Sequence, residues 1–327
     1  MHRLGMPLLR LVGGLVVLAL LWQRVGATPF QNGLRAVTLP ALAAAAAITA
    51  VATVCSAWRW RVIARTLGVG MPLTTAIGAY YRSQFLNSVL PGGVPGDVHR
   101  AVAHGRRAGA MNRGLRAATW DRLSGQVVQA VLTGLALLLL PSPARRFLPV
   151  IVAGGLAVVL GAVLVVWVAG RRERSRAAGV ARAVSRDVRH RLLARGVWPQ
   201  LTLASIVIVV GHTGTFVIAA RVAGATAPLG ELVALALLVQ TAMVIPLSVG
   251  GWGVREGAAA WAFGAAGLGA AVGITVTTVF GVLCLAAMAP GAALLLADSA
   301  RRGDRARSEP EPEPRRERGP RREVVGG

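Results

Sequence analysis

The feature that most constrains this chain is a series of apolar runs, each long enough to cross a lipid bilayer as a helix. A membrane-spanning helix needs about 20 apolar residues. Runs of about this length occupy residues 4–22, 39–57, 118–140, 148–169, 198–220 and 270–297. The sequence therefore predicts an all-α polytopic membrane protein with six full transmembrane helices. After the second run, the mixture Trp58-Arg59-Trp60-Arg61 is typical of a membrane–water boundary.

Two further apolar segments are interrupted by glycine and proline. Residues 71–90 lead into Pro-Gly-Gly-Val-Pro-Gly at 91–96, and residues 232–249 lead into Gly-Gly-Trp-Gly at 250–253. Proline removes a backbone donor and glycine weakens a helix, so neither break continues one. Irregular backbone inside a membrane is tolerated only where protein or a water-filled cavity satisfies its polar groups. We therefore predict two re-entrant helical hairpins whose tips meet near the middle of the bilayer.

The distribution of arginine supports this topology. The net charge of +23 comes from 36 arginines, since the chain has no lysine. With a cytoplasmic N-terminus and two re-entrant hairpins, 28 arginines fall in cytoplasmic loops and ends and five fall outside, as the positive-inside rule requires. If residues 71–90 crossed the membrane, the basic stretch after Asp97, expected to be helical to about Arg116, would fall outside. Arginines placed in loops in this way also argue against a nucleic-acid partner.

The predicted elements divide into two similar halves. Each half contains two spans, then a broken hairpin, then a span, and the halves enter from opposite sides, so a probable inverted repeat is predicted from topology alone. Paired interrupted segments of this kind indicate the central site of a transporter. We predict a transmembrane domain over residues 1–300, containing a basic surface helix within 171–195. Residues 301–327 are rich in Arg, Glu and Pro and predict a disordered cytoplasmic tail.

Three arginines lie in or beside the membrane segments, where an unpaired charge is costly. Internal ion pairing is one interpretation. The other is binding of an anionic head group, since a guanidinium engages two phosphate oxygens and a helix N-terminus adds backbone donors. The candidate head-group residues are Arg82, Arg122, Arg255, Asn87, Gly92, Gly93, Gly96, Gly250, Gly251 and Gly253. The candidate ion-pair or coupling residues are Asp97, Arg100, Asp121 and Glu256.

Other polar residues have simpler interpretations. Asp97 suits the N-cap of the helix that follows it, with proton coupling as the alternative. The spacing of His99 and His104 relative to Asp97 matches no strong metal motif. His212 is expected to be an interior residue rather than a proton relay. No catalytic residue, metal or cofactor is predicted.

Several of these residues also belong to motifs that carry a resemblance. They are Arg59-Trp60-Arg61, Asn87, the segments 90–93 (Leu-Pro-Gly-Gly) and 96–100 (Gly-Asp-Val-His-Arg), Asp121-Arg122, and Pro-Leu-Ser-Val-Gly-Gly-Trp-Gly-Val-Arg-Glu at 246–256. At these motifs the sequence resembles the lysylphosphatidylglycerol synthase transmembrane region, also called flippase-like integral membrane proteins, over about residues 5–297. The resemblance implies a bacterial inner-membrane protein related to the domain that moves aminoacylated phospholipid between leaflets. Because no aminoacyl-transferase domain follows, aminoacylation is not expected.

Three functions remain open at this point. The first is translocation of an anionic phospholipid or a lipid-linked head group such as a lipid-linked sugar. The others are a membrane scaffold for a separate lipid- or glycosyl-transferase and, less favoured, an intramembrane enzyme acting on a lipid phosphate. A phosphate-binding loop of the Gly-x-x-x-x-Gly-Lys type requires a lysine, so the chain is not expected to be an ATPase. Lipid identity, energy source, direction and oligomeric state stay open.

Overall fold

The computed structural model describes residues 19, 23, 25–90, 93–140, 185–243 and 252–308, in which the chain is helical. The helices are α1 (Thr28–Ala36), α2 (Leu39–Thr66), α3 (Leu73–Val89), α4 (Pro95–Arg107), α5 (Met111–Leu139), α6 (Trp198–Val222), α7 (Leu229–Ala242), α8 (Val254–Ala265), α9 (Ala270–Ala287) and α10 (Ala289–Ser308). A short π-helical turn, Val188–Leu192, precedes α6. The predicted spans at 4–22 and 148–169, most of the basic segment 171–195 and the tail beyond residue 308 lie outside the described residues.

Four helical stretches in the described part are long and apolar enough to cross a membrane, judged by length and composition. They are α2, α5, α6 and the stretch Ala270–Arg301 that joins α9 to the start of α10. Each coincides with a predicted span, although α2 continues to Thr66 and α5 begins at Met111. The added turns contain arginine, which is a good helix former, so the helices extend beyond the apolar runs that identified them.

The outer surface of α5 is apolar, as expected for a helix in contact with lipid. Val127, Val131, Leu135 and Leu138 are exposed, between 47% and 62%. They recur every three or four residues and therefore share one face of the helix. The opposite side of the same helix contributes buried residues, including Thr133 and Ala136. This division of faces is that of a helix between lipid and a protein interior.

Both interrupted segments form pairs of helices that pack against each other, α3 with α4 and α7 with α8. In the first pair, Ser83 contacts Asp97 and the later Asn87 contacts the earlier Gly96, so the two helices run antiparallel. A glycine in the left-handed region precedes each second helix: Gly93 has φ 58° and Gly253 has φ 98°, values that glycine adopts without strain. The structure thus has two helix–break–helix pairs at the predicted places.

Glycines allow several neighbouring helices to approach closely. A Cβ on Gly96 of α4 would overlap the carbonyl oxygen of Ser83, and one on Gly114 of α5 would lie 2.6 Å from Gly105 Cα. In the second half, a Cβ on Gly273 would lie 2.5 Å from the carbonyl oxygen of Ala259. Small residues at such contacts are typical of helix packing in membranes. The predicted basic helix after Asp97 is divided here, since α4 ends at Arg107 and α5 starts at Met111.

The apolar core consists mainly of two clusters separated along α6. One surrounds Trp60, Ile63 and Tyr80 and includes Leu201 near the start of α6. The other surrounds Phe216 near the end of α6, together with apolar residues of α7, α8 and α9. Between these clusters, the middle of α6 carries Ser205 and His212, which border a cavity. The fold therefore leaves space at mid-length of a helix that is long enough to span the membrane.

Candidate functional site

The cavity has a volume of about 420 Å³ and is lined by side chains from both halves of the chain. Residues from the middle of three long helical stretches contribute, including Gln126 of α5, His212 of α6 and Leu285 of α9. The two helix pairs reach it through residues such as Asn87 and Arg255. A cavity of this size lies within the range of small-molecule binding sites.

A buried aspartate joins three helices on the wall formed by the first half. Asp121 of α5 is 1% exposed, and its Oδ1 accepts a hydrogen bond from Arg59 Nε at 2.9 Å. Its Oδ2 accepts one from Arg100 Nη1 at 3.0 Å and another from the Tyr80 hydroxyl. Arg59 also donates to Ser205 Oγ at 2.9 Å. Such charge-assisted bonds are stronger than neutral ones, so Asp121 ties α5 to α2, α3 and α4.

Asp97 forms a second centre in the same wall and is more accessible, with its side chain 20% exposed. Its Oδ1 accepts from Ser83 Oγ at 3.0 Å and from Arg100 Nη2 at 3.2 Å, and its Oδ2 accepts from Arg122 Nη1 at 2.6 Å. The predicted N-cap role is wrong. Helix α4 begins at Pro95 without a side-chain cap, because proline suits the first helical position, which puts Asp97 two positions later.

These contacts leave the wall with an excess of positive charge. Three guanidinium groups, those of Arg59, Arg100 and Arg122, share the carboxylates of Asp97 and Asp121. The side chain of Arg100 is 1% exposed whereas that of Arg122 is 35% exposed. Within the described residues, Nε and Nη2 of Arg122 have no hydrogen-bond partner. Arg122 is therefore the most accessible guanidinium of this wall, and it has donors left for a ligand.

Aromatic rings hold Arg100 in its buried position. Its Cζ lies 4.0 Å from the ring centre of Tyr80 and 4.4 Å from that of Trp60. A cation over an aromatic face is stabilised by the ring quadrupole, more so when water is excluded. Arg100 thus belongs to the framework of the wall, which leaves Arg122 as the more adjustable cation.

A closed ion pair borders the cavity on the side of the second half. Arg255 Nε and Nη2 lie 2.9 and 2.6 Å from Glu256 Oε1. The other carboxylate oxygen of Glu256 accepts the backbone N–H of Gly253 at 2.7 Å, which is the return contact of a capping box. The Arg255 guanidinium also lies over the ring of Trp252, 4.6 Å from its centre. The side chains of Arg255 and Glu256 are 3% and 0% exposed, so this pair is neutral and buried.

A glycine on a long helix makes room for a guanidinium in each half. A Cβ on Gly125 of α5 would lie 2.8 Å from Arg59 Nη1, and a Cβ on Gly281 of α9 would overlap the Arg255 guanidinium. Neither glycine needs an unusual backbone conformation, since both lie inside helices. Both long helices are therefore shaped to place a cation beside the cavity.

Amide side chains add neutral hydrogen-bonding groups to the lining. Asn87 Oδ1 accepts the backbone N–H of Gly96 at 2.8 Å, and Gln84 Oε1 accepts the Thr53 hydroxyl at 2.9 Å. Because both carbonyl oxygens are engaged, the two NH₂ groups remain as donors. Gln126 also lines the cavity. The wall therefore presents hydrogen-bond donors as well as positive charge.

The comparison with protein families adds an independent observation. The family described as the lysylphosphatidylglycerol synthase TM region matches residues 8–291. The chain belongs to this family. No curated protein and no solved structure matches the chain. Membership, together with the four apolar helical stretches, indicates a membrane protein of a family linked to lipid metabolism or transport.

The structure of this family member brings many of the predicted site residues together. Those that line the cavity are Asn87, Asp97, Arg100, Asp121, Arg122 and Arg255. Arg82 does not line it, because Arg82 Nε lies 2.8 Å from Asp298 Oδ2 of α10. The backbone N–H groups of Gly96 and Gly253 donate hydrogen bonds to the side chains of Asn87 and Glu256. The carbonyl oxygen of Gly93 accepts one from Arg122. Gly92, Gly250 and Gly251 lie outside the described residues.

Sequence reasoning missed Arg59 as a site residue. The composition of the run Trp58–Arg61 predicts a boundary segment, yet Arg59 and Trp60 are 7% and 1% exposed. Alternate residues on a helix point to nearly opposite sides, so Arg59 faces inward while Arg61 bonds the Met71 carbonyl oxygen at 3.1 Å. The appearance of the same run in the family motif was the signal that could have identified Arg59.

Proposed function

We propose that this protein translocates an anionic phospholipid or lipid-linked head group across the bacterial inner membrane, with both termini in the cytoplasm. The observation that carries the proposal is the net-positive, donor-rich wall of a cavity at mid-length of the long helices. Charges inside a membrane protein are costly and mark substrate pathways. In this proposal the protein is a carrier rather than an enzyme, and a separate transferase supplies or uses the lipid.

The two helix pairs are proposed to be re-entrant hairpins of two inverted halves. Two features of the described residues support this. Both second helices carry an acidic residue in the first turn, Asp97 in α4 and Glu256 in α8. Both follow a glycine with positive φ. Transporters built from inverted repeats place their substrate site where such interrupted helices meet.

The Asp97–Arg122 contact suggests how a head group would enter. Arg122 keeps Nε and Nη2 available while Nη1 binds Asp97, so a phosphate would first engage these donors and then compete with Asp97. A guanidinium binds two phosphate oxygens in one plane. The head group would thereby replace an internal carboxylate with a similar ligand and would limit the cost of bringing charge into the membrane.

A leaflet-exchange assay with purified protein tests the proposal. Liposomes containing fluorescent phosphatidylglycerol would be treated with an impermeant quencher, and the fraction of lipid that becomes quenchable measures exchange. We expect wild-type protein to exceed protein-free liposomes and Arg122→Gln to lose most of this activity. Arg106→Gln is the matched control, because Arg106 is an exposed arginine outside the cavity.

The same assay separates the alternatives. A protein that is only a scaffold for a transferase would give no lipid exchange, and its Arg122→Gln variant would still bind the transferase. An enzyme acting on a lipid phosphate would change the mass of the added lipid. Exchange that is absent in wild-type protein, or equal in wild type and Arg122→Gln, would contradict the proposed function.

A further inference from the structure

The charge of the cavity distinguishes between lipids that all contain phosphate. Of the residues that the structure describes, the carboxylates lining the cavity are Asp97 and Asp121, and both already bind guanidinium groups. Asp121 accepts bonds at both oxygens and is 1% exposed. A cationic group on the substrate would have to compete with arginines for either carboxylate, beside a wall that already carries excess positive charge. The site therefore disfavours a lipid whose head group carries an ammonium group in addition to the phosphate.

The neutral side chains of the lining favour a head group that carries hydroxyl groups. Asn87 and Gln84 keep their NH₂ groups as donors because their carbonyl oxygens are engaged, and Gln126 lines the same cavity. No hydrogen bond fixes the Gln126 amide within the described part of the chain, so it can donate or accept. Hydroxyl groups both donate and accept, and amides are suitable partners for them. A phosphate held by Arg122 would place its alcohol substituent among these amides.

We infer that the head group bound in this cavity is an anionic phosphate ester of a polyhydroxylated alcohol, such as glycerol, inositol or a sugar, and that an aminoacylated lipid is rejected. This inference rests on the proposed function and specifies its substrate class. A lysyl ester adds ammonium groups to the phosphodiester and makes the head group cationic. Like charges brought together across an interface select strongly against the wrong partner. The family name therefore does not give the substrate of this chain.

A lipid panel in the leaflet-exchange assay tests the inference directly. The panel contains phosphatidylglycerol, phosphatidylinositol, phosphatidic acid, phosphatidylcholine and lysyl-phosphatidylglycerol, each with the same fluorescent acyl chain. We expect exchange of phosphatidylglycerol and phosphatidylinositol to be at least about tenfold faster than that of the lysyl ester. Phosphatidic acid, which has no hydroxylated substituent, should be intermediate. Faster or equal exchange of the lysyl ester would overturn the inference while leaving translocation intact.

Variants separate recognition of charge from recognition of hydroxyl groups. Gln126→Leu removes an amide that makes no hydrogen bond to the described residues, so the fold should survive. It should reduce the preference for phosphatidylglycerol over phosphatidic acid and leave discrimination against the lysyl ester unchanged. Val127→Leu is the matched control, since Val127 is 62% exposed on the lipid side of α5. An unchanged preference in Gln126→Leu would refute the role of the amide.

A binding measurement covers the case in which no lipid is exchanged. The thermal stability of detergent-solubilised protein would be measured with short-chain phosphatidylglycerol, short-chain lysyl-phosphatidylglycerol, glycerol phosphate or inorganic phosphate. Stabilisation by phosphatidylglycerol but not by its lysyl ester would support the substrate class even if translocation failed. Equal stabilisation by both lipids, or by inorganic phosphate alone, would overturn it, the latter because the site would then bind free anions rather than a lipid.

Discussion

Replacing Asp121 with asparagine tests whether the buried ion network holds the α3–α4 helix pair against α2 and α5. Asparagine keeps the shape of the side chain and one acceptor oxygen but loses the charge. Arg100 retains Asp97 as a partner, whereas Arg59 has no other carboxylate within salt-bridge distance in the described residues. The cost should therefore fall mainly on Arg59, whose side chain is 8% exposed.

The size of the effect follows from the burial of the partners. Removing one partner of a buried ion pair typically costs about 3–5 kcal/mol, because the other charge is left uncompensated. We expect about 3 kcal/mol, since the asparagine oxygen can still accept one hydrogen bond. Tyr80→Phe removes only a hydroxyl bonded to the same carboxylate, and a hydrogen bond to a charged group contributes about 1.5–3 kcal/mol. Its cost should be the smaller of the two.

Unfolding in mixed micelles with increasing sodium dodecyl sulfate measures these differences. The double variant Arg59→Gln, Asp121→Asn removes both charges, and its cost should be less than the sum of the single costs by about 2 kcal/mol, within the range found for coupled pairs. Glu231→Gln, which changes a carboxylate in the first turn of α7, is a control outside the network. Wild-type stability in Asp121→Asn, or strictly additive costs in the double variant, would refute the reasoning.

Three further predictions concern the hairpins and the tail. Gly96→Ala should destabilise the protein by about 1–3 kcal/mol, the usual cost of overpacking, because the new Cβ meets the Ser83 carbonyl oxygen; unchanged detergent unfolding would contradict it. Arg255→Lys should fold normally but exchange lipid more slowly, since it loses the planar fork, whereas wild-type exchange in Arg255→Gln, Glu256→Gln would show that the pair is only structural. A chain ending at Arg302 keeps Asp298, the partner of Arg82, and should retain both insertion and leaflet exchange; loss of exchange at normal expression would contradict it.

The sequence predicted the long helices well because a membrane imposes both a length and a composition. Four predicted spans coincide with described helices. Each glycine- and proline-containing break lies between two helices that pack against each other. Helix ends were less predictable. Backbone hydrogen bonding continues beyond the apolar residues, so α2 reaches Thr66 and α5 starts at Met111. The apolar pattern reports where a helix meets lipid rather than where the helix ends.

The ion pairs were only partly predictable, because neighbours in sequence need not be neighbours on a helix. Consecutive helical residues point about 100° apart, so Asp121 and Arg122 face different partners. Asp121 bonds Arg59, 62 positions earlier, and Arg122 bonds Asp97, 25 positions earlier. Such long-range pairs depend on how α2, α4 and α5 pack, which no local pattern contains. The inward position of Arg59 was missed for the same reason.

The two halves supply similar elements but use their charges differently. Each has an acidic residue in the first turn of the second helix of the pair, α4 or α8. Each also has a glycine on the next long helix, α5 or α9, and this glycine leaves room for a guanidinium. In the second half, Glu256 neutralises Arg255 and also binds the Gly253 N–H, which fixes the start of α8. In the first half, Asp97 is shared between Arg100 and Arg122, and a cation remains in excess. A ligand shifts a conformational equilibrium only through contacts that differ between states. A head group would change the contacts of Asp97 far more readily than those of Glu256, so we expect α4 to move relative to α5 on binding while α8 keeps its place.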